Sequence, residues 1–201
     1  MEIFIQTFVL YFAVIDPLAA TSIFLIVTQR LTVKDKIKTA FEATAIATLI
    51  LLFFAFLGKF ILSYLQISLS AFTIAGGIIL FIISLEMLFD KRNQRKEEKI
   101  RNNSEATSIF PLAIPLLAGP AAITSVIVSV ADVGGNFIAQ ATGILSLILV
   151  MFVTFIIFFI ASKSSKIINK KITSVISRVI GIILAGLSIQ YILDGIKNFL
   201  I

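Results

Sequence analysis

Cysteine and histidine are both absent from this chain of 201 residues, and only 14% of its residues are charged. Without cysteine there are no disulfides and no thiolate chemistry, and without histidine there are no imidazole metal sites or imidazole proton relays. Serine–histidine hydrolysis and zinc hydrolysis fail for the same reason. Carboxylates are the side chains left to exchange a proton near neutral pH, and we expect neither a metal nor a cofactor.

Apolar residues make up 59% of the sequence, and the mean hydropathy is +1.08. Three stretches carry no charge at all, namely 60–85, 106–131 and 133–162. Each exceeds the roughly 20 residues that cross the hydrocarbon core of a bilayer. The start of the chain lacks a basic segment and a cleavage site, so we expect the first apolar stretch to be a retained span. The composition predicts an all-α polytopic membrane protein.

The hydropathy pattern predicts six transmembrane helices. They cover residues 3–28, 40–65, 69–89, 108–131, 138–161 and 175–199. Most of the 17 basic residues fall in the first, third and fifth connections, so the positive-inside rule predicts both termini outside the cell. The net charge of +6 therefore reflects topology, and we expect no nucleic-acid partner.

The third connection divides the chain into two groups of three helices. We interpret residues 1–89 as the first three-helix unit, 90–107 as a charged cytoplasmic linker and 108–201 as the second unit.

Two motifs recur in the two halves. The segment from Pro17 to Ser22 matches the segment from Pro120 to Ser125 as P-x-A-x-T-S, at an offset of 103 residues. A second block, Gly-Ile-Ile-Leu, begins at Gly77 and recurs at an offset of 104 residues. Because each half has three spans, the second copy lies upside down relative to the first. The pattern predicts a 3+3 inverted repeat, which is typical of secondary transporters.

Both P-x-A-x-T-S motifs fall near the middle of their spans. A proline there removes a backbone hydrogen bond, so we expect helices 1 and 4 to break at Pro17 and Pro120. Asp16 and Gly119 precede the two prolines, as a capping carboxylate and a flexible joint would. We expect free N–H groups at the positive ends of the restarted half-helices, from Ala19, Ala20, Ala122 and Ile123.

Two interpretations of the breaks remain open. In one, they are proline kinks repaired by the hydroxyls of Thr21, Ser22, Thr124 and Ser125. In the other, they form a solute site at the midplane, because unsatisfied backbone at that depth must be buried in protein or line a wet cavity. Two related breaks with a mid-span carboxylate favour the second, since Asp16 cannot reach an interface. Glu86, near the end of its span, fits a snorkelling role.

The predicted substrate site contains residues from both motifs and two glycines of helices 3 and 6. These residues are Asp16, Pro17, Ala19, Ala20, Thr21, Gly119, Pro120, Ala121, Ala122, Thr124, Gly77 and Gly181. Asp16 is also the candidate for binding a coupling ion. Packing is the default role of the two glycines, which allow helices to approach closely.

Four blocks of the sequence resemble the MarC or SnatA-type family, the six-helix neutral amino acid transporters of prokaryotic inner membranes. The blocks are 15–18, 75–80 with Glu86-Met87, 113–120, and Arg178 with Gly181, Gln190 and Asp194-Gly195. The resemblance implies a carrier of small neutral amino acids such as glycine and alanine, coupled to an ion gradient. We favour a proton over a sodium ion as the coupling ion. Ala19, Ser22 and Ala121 depart from the family's usual residues, which narrows the space beside the break.

The predicted function is therefore a secondary transporter that works by alternating access around a midplane site. A channel, or an exporter of another small solute, is the alternative, because half-helix ends also build channel filters. An intramembrane aspartyl enzyme needs two acids able to share a proton, and Asp16 has no such partner at its depth in the sequence. The oligomeric state does not follow from the sequence.

Overall fold

The computed structural model describes residues 2–89, 112–131, 136–164 and 170–200, and every regular element in these ranges is helical. The elements are α1 (Glu2–Ile15), α2 (Pro17–Val27), α3 (Val33–Tyr64), α4 (Leu69–Leu88), a π-helical segment (Leu112–Leu117), α5 (Pro120–Ala131), α6 (Phe137–Lys163) and α7 (Lys170–Leu200). The predicted linker, 90–107, and residues 108–111 lie outside the described residues.

Five stretches of the described chain are long and apolar enough to cross a membrane. They are Glu2–Val27, which joins α1 and α2, then Val33–Tyr64, Leu69–Leu88, Phe137–Lys163 and Ile172–Leu200. The fourth predicted span appears as the π-helical segment followed by α5, whose apolar part is too short to cross alone. The prediction of an all-α polytopic membrane protein is confirmed, with five stretches of the described residues long enough to cross a membrane.

Two helices begin earlier than hydropathy predicted. The helix expected at 40–65 begins at Val33, and the one expected at 175–199 begins at Lys170. In the first case Thr32 forms a cap, because its Oγ1 accepts a hydrogen bond from the Asp35 N–H at 3.2 Å. Polar first turns extend a helix beyond its apolar stretch, so hydropathy alone places such helix starts too late.

Large apolar side chains cover the outer surface of the bundle. Phe53, Phe56 and Phe60 on α3 are between 50% and 70% exposed. Inside, Phe24 of α2 and Phe158 of α6 are fully buried and stack with ring centroids 4.5 Å apart. A protein with this distribution needs a hydrocarbon solvent around it.

The most extensive helix pair is α4 with α7, which pack antiparallel. A Cβ on Gly77 would lie 2.8 Å from the carbonyl oxygen of Ser188, and a Cβ on Gly181 would lie 3.2 Å from that of Ser84. The 104-residue offset converts Gly77 into Gly181 and Ser84 into Ser188, so it exchanges the two contacts. Only glycine lets the two backbones approach this closely.

The two halves of the chain are interlocked. In the described ranges, the larger helix contacts join an element before residue 90 to an element after residue 111, with α5 against α6 as the main exception. For example, α1 and α2 both pack on α6, while α3 packs on α5 and α6. The core of the bundle therefore lies between the halves, and the broken helices are at its centre.

Candidate functional site

The first broken helix changes direction at a single residue. Asp16 adopts the left-handed conformation, with φ 50° and ψ 68°, between the end of α1 at Ile15 and the start of α2 at Pro17. Proline disfavours a helical residue before it, and aspartate tolerates the left-handed region better than most residues. Asp16 is 2% exposed, so the carboxylate lies inside the bundle. The predicted break at Pro17 is confirmed.

The free N–H groups predicted after this break are not there. Oδ1 of Asp16 accepts a hydrogen bond from the Ala19 N–H at 3.2 Å, and the Asp16 carbonyl oxygen accepts one from the Ala20 N–H at 2.9 Å. The prediction for Ala19 and Ala20 is therefore wrong, because the Asp16 carboxylate bonds to the Ala19 N–H and the Asp16 backbone carbonyl bonds to the Ala20 N–H.

The second broken helix has a longer interruption. Within the π-helical segment, Ile114 is extended, with φ −130° and ψ 128°, and α5 restarts at Pro120. Gly119 stands before the proline without a side chain to act as a cap. The Ile123 N–H bonds to the Gly119 carbonyl at 3.0 Å, so the prediction for Ile123 is wrong. No hydrogen bond from the Ala122 N–H is found within the described residues.

The threonines of the two motifs do not repair the breaks. Oγ1 of Thr21 donates to the Pro17 carbonyl at 2.6 Å, and Oγ1 of Thr124 donates to the Pro120 carbonyl at 2.9 Å. Both bonds lie inside the half-helix that follows the break. The hydroxyl of Ser125 is fully buried, and no hydrogen-bond partner for it is found in the described chain.

The two breaks lie beside each other. The half-helix before the first break, α1, packs on α5, and the half-helix after it, α2, packs on the π-helical segment. Each part of the first broken helix therefore packs on the opposite part of the second. Ile15, Ala20, Ala118 and Ala121 belong to the same buried apolar cluster.

Two neighbours of the breaks were missed by the sequence analysis. The Ser177 hydroxyl of α7 donates to Oδ2 of Asp16 at 3.4 Å, and a Cβ on Gly76 would lie 2.5 Å from the Thr124 side chain. By contrast, Gly77 and Gly181 lie in the α4–α7 interface. The Gly76-Gly77 pair was visible in the sequence, but which glycine meets α5 depends on the rotation of α4.

No group of three or more acidic residues that could hold a metal ion occurs in the part of the chain that the structure describes.

Comparison with known proteins extends along the whole chain. The profile of the MarC family integral membrane proteins matches residues 1–200. A UPF0056 membrane protein of Methanocaldococcus jannaschii is 33% identical, over 100% of this chain and 99% of the relative. A UPF0056 membrane protein of Archaeoglobus fulgidus is 31% identical over 100% and 95%, and one of Buchnera aphidicola is 34% identical over 98% and 93%. No solved structure matches the chain.

Proposed function

Because the chain belongs to the MarC family of integral membrane proteins, we propose that it is a secondary transporter of small neutral amino acids such as glycine and alanine. It is a multi-pass membrane protein with relatives in archaea and bacteria, and we place it in the prokaryotic inner membrane. The proposal has three parts: a repeat that supports alternating access, a site at the breaks, and a role for Asp16.

The exchanged glycine contacts support an inverted repeat. The 104-residue offset between the halves turns the Gly77–Ser188 contact into the Gly181–Ser84 contact. An exchange of this kind between the antiparallel helices α4 and α7 is what a twofold axis across the bundle would produce. With such symmetry, each half of the chain can adopt the conformation of the other half. The protein then has two states, and each state opens the centre of the bundle to a different side of the membrane. This symmetry supports the proposal of alternating access around a fixed midplane site.

The difference between Asp16 and Gly119 carries the proposal for the site. These two residues occupy matching positions before the two prolines. At the first break, a carboxylate belonging to the protein caps the half-helix. At the second break, Gly119 has no side chain that could cap α5, and no acceptor for the Ala122 N–H is found within the described ranges. The carboxylate of an amino acid would complete α5 as Asp16 completes α2.

The remaining groups suit a small zwitterion. The buried Ser125 hydroxyl lies one turn after Ala121 on the same face of α5 and can bond the solute carboxylate. In the neighbouring break, the Asp16 carboxylate can pair with the solute ammonium. Ala118, Ala121 and Ala122 are buried around α5's start, so a small solute side chain fits better than a large one. Asp16 is also the candidate carrier of a coupling proton, which we favour over sodium.

Exchange in proteoliposomes tests the proposal. Purified protein loaded with unlabelled glycine or alanine should take up labelled amino acid by saturable counterflow. A channel would instead give uptake linear in concentration, and absence of counterflow with any neutral amino acid would refute the transporter assignment.

Gly119→Asp tests the carboxylate site, and Gly119→Ala is its matched control. The aspartate variant places a second capping carboxylate where the solute's carboxylate should bind, so it should fold and lose exchange. The alanine variant adds a methyl group without a charge and should keep most of its exchange. Wild-type exchange by the aspartate variant would contradict binding at α5.

A further inference from the structure

A cavity of about 510 Å³ lies at the end of the bundle where α1 begins and α7 ends. Its polar wall consists of Gln6, Thr7, Ser129, Gln190, Tyr191 and Asp194. Gln6 and Gln190 are exposed at its mouth, whereas Thr7 and Leu10 are buried at its floor. We call this cavity the terminal vestibule.

The terminal vestibule is lined by residues of the same two helices that carry the breaks. Its floor residue Leu10 precedes Asp16 by six residues on the same helix, which is about 9 Å at 1.5 Å per residue. Ser129, on the α5 wall, follows Pro120 by nine residues, which is roughly 14 Å. Both broken helices therefore lead from the vestibule to the proposed solute site.

A buried hydroxyl lies beside the vestibule. Tyr11, the residue after Leu10, is 1% exposed, and its hydroxyl is buried beside the Ser129 side chain. Its oxygen and the Ser129 carbonyl oxygen lie within about 4 Å of where a Cβ on Gly143 would be. Next to it, the hydroxyls of Ser129 and Tyr191 are 3.2 Å apart. Buried hydroxyls beside a cavity can supply hydrogen bonds to a polar solute.

The charge on the wall selects the kind of solute. Nε2 of Gln190 donates to Oδ1 of Asp194 at 2.8 Å, which orients the carboxylate. No basic residue within the described ranges forms an ion pair with Asp194. A half-buried carboxylate with an unneutralised charge attracts a cation, and the neighbouring hydroxyls offer hydrogen bonds to an ammonium group.

We propose that the terminal vestibule is a second, outer binding site that captures small solutes by their ammonium group through Asp194, with Tyr11, Ser129 and Tyr191 forming the closed barrier to the breaks. The inference rests on the proposed transport function, because it treats the solute as an amino acid on its way to the midplane. It assigns Asp194, Gln190 and Tyr11 roles in entry.

The absence of cysteine allows a direct test, because any introduced thiol is the only one in the protein. Gln6→Cys and Ser129→Cys each place a thiol on the vestibule wall. Lys197→Cys is the matched control, since Lys197 is exposed on α7 one turn beyond Asp194 and does not line the cavity. A charged thiol reagent is added to proteoliposomes with and without glycine or alanine.

Glycine or alanine should slow labelling of the wall cysteines at least threefold and leave labelling of Lys197→Cys unchanged. Adding Asp194→Asn to the Gln6→Cys protein should abolish the protection, and a solute without an ammonium group, such as acetate, should give none. Asp194→Asn alone should raise the half-saturating glycine concentration of counterflow more than its maximal rate falls. Equal labelling with and without amino acid, in protein that shows counterflow, overturns the vestibule proposal and leaves the transport function standing. Protection without counterflow would instead support the vestibule and refute the transporter assignment.

Discussion

Substitutions at Asp16 separate its structural role from its role in transport. Two structural costs can be read from its geometry. Alanine has a Cβ but no polar group that could bond locally, so placing it in the left-handed conformation of residue 16 costs roughly 1–2 kcal/mol of folding free energy. Losing the cap on the Ala19 N–H costs about 1 kcal/mol more. Asp16→Ala should therefore destabilise the protein by about 2–3 kcal/mol.

The other two substitutions change one cost each. Asp16→Asn keeps both the cap acceptor and the tolerance of a positive φ, so its stability should be within about 0.5 kcal/mol of the wild type. Asp16→Gly loses the cap but removes the conformational cost, and should lose about 1 kcal/mol or less.

Thermal unfolding in detergent measures this order. For a chain of this size, each kcal/mol of lost stability lowers the melting temperature by about 2–4 °C, so Asp16→Ala should melt roughly 5–10 °C below the wild type. The glycine variant should melt between the alanine and the asparagine variants. If the alanine and asparagine variants melt at the same temperature, the left-handed cap does not stabilise the fold.

The asparagine variant, which is folded but uncharged at residue 16, tests the role of Asp16 in transport. Loss of pH-driven accumulation with retained exchange would indicate that Asp16 carries the proton. Weakened exchange would indicate that Asp16 pairs with the ammonium group of the solute. Unchanged exchange and accumulation would leave Asp16 as a helix cap alone.

Two further predictions concern packing. In thermal unfolding, Gly77→Ala should destabilise the protein by about 1–3 kcal/mol because its Cβ would lie 2.8 Å from the Ser188 carbonyl oxygen. Gly186→Ala, whose Cβ would have nothing within 4 Å, should be neutral or up to about 1 kcal/mol more stable, and equal effects of the two substitutions would argue against the close α4–α7 contact. Phe158→Ala should destabilise the protein by about 3–5 kcal/mol because it removes a fully buried ring. The Phe152 side chain on the same helix is 58% exposed, so Phe152→Ala should change the melting temperature little. The reverse order would show that the core lies on the other face of α6.

The sequence was sufficient to predict the breaks but not their internal bonding. A proline in the middle of an apolar span removes a backbone hydrogen bond whatever its neighbours are, so Pro17 and Pro120 located both interruptions. Whether a carboxylate turns back onto its own half-helix or outward depends on its backbone and side-chain torsions, and Asp16 turns back onto Ala19. The predicted free N–H group at Ala19 was wrong for that reason, and the one at Ala20 was wrong because the Asp16 backbone carbonyl accepts its hydrogen bond.

Contacts between distant segments were also beyond the sequence. Adjacent glycines on a helix point about 100° apart, so only the packed structure decides that Gly76 meets α5 while Gly77 meets α7. The vestibule combines residues from the start of α1, the end of α5 and the end of α7, whose sequences share no motif. Asp194 and Gln190 stood in the family blocks but carried no signal of a cavity.

The interlocked halves have a consequence for how the protein is made. The helices before residue 90 have most of their partners after residue 111, so they enter the bilayer before those partners exist. At the usual 5–20 residues per second, roughly 100 residues of further synthesis take about 5–20 s. During that interval the glycine face of α4 and the buried carboxylate of Asp16 stand against lipid or the insertion machinery. The first three helices should consequently be protease-sensitive and short-lived when expressed alone, and co-expression with the second half should rescue them.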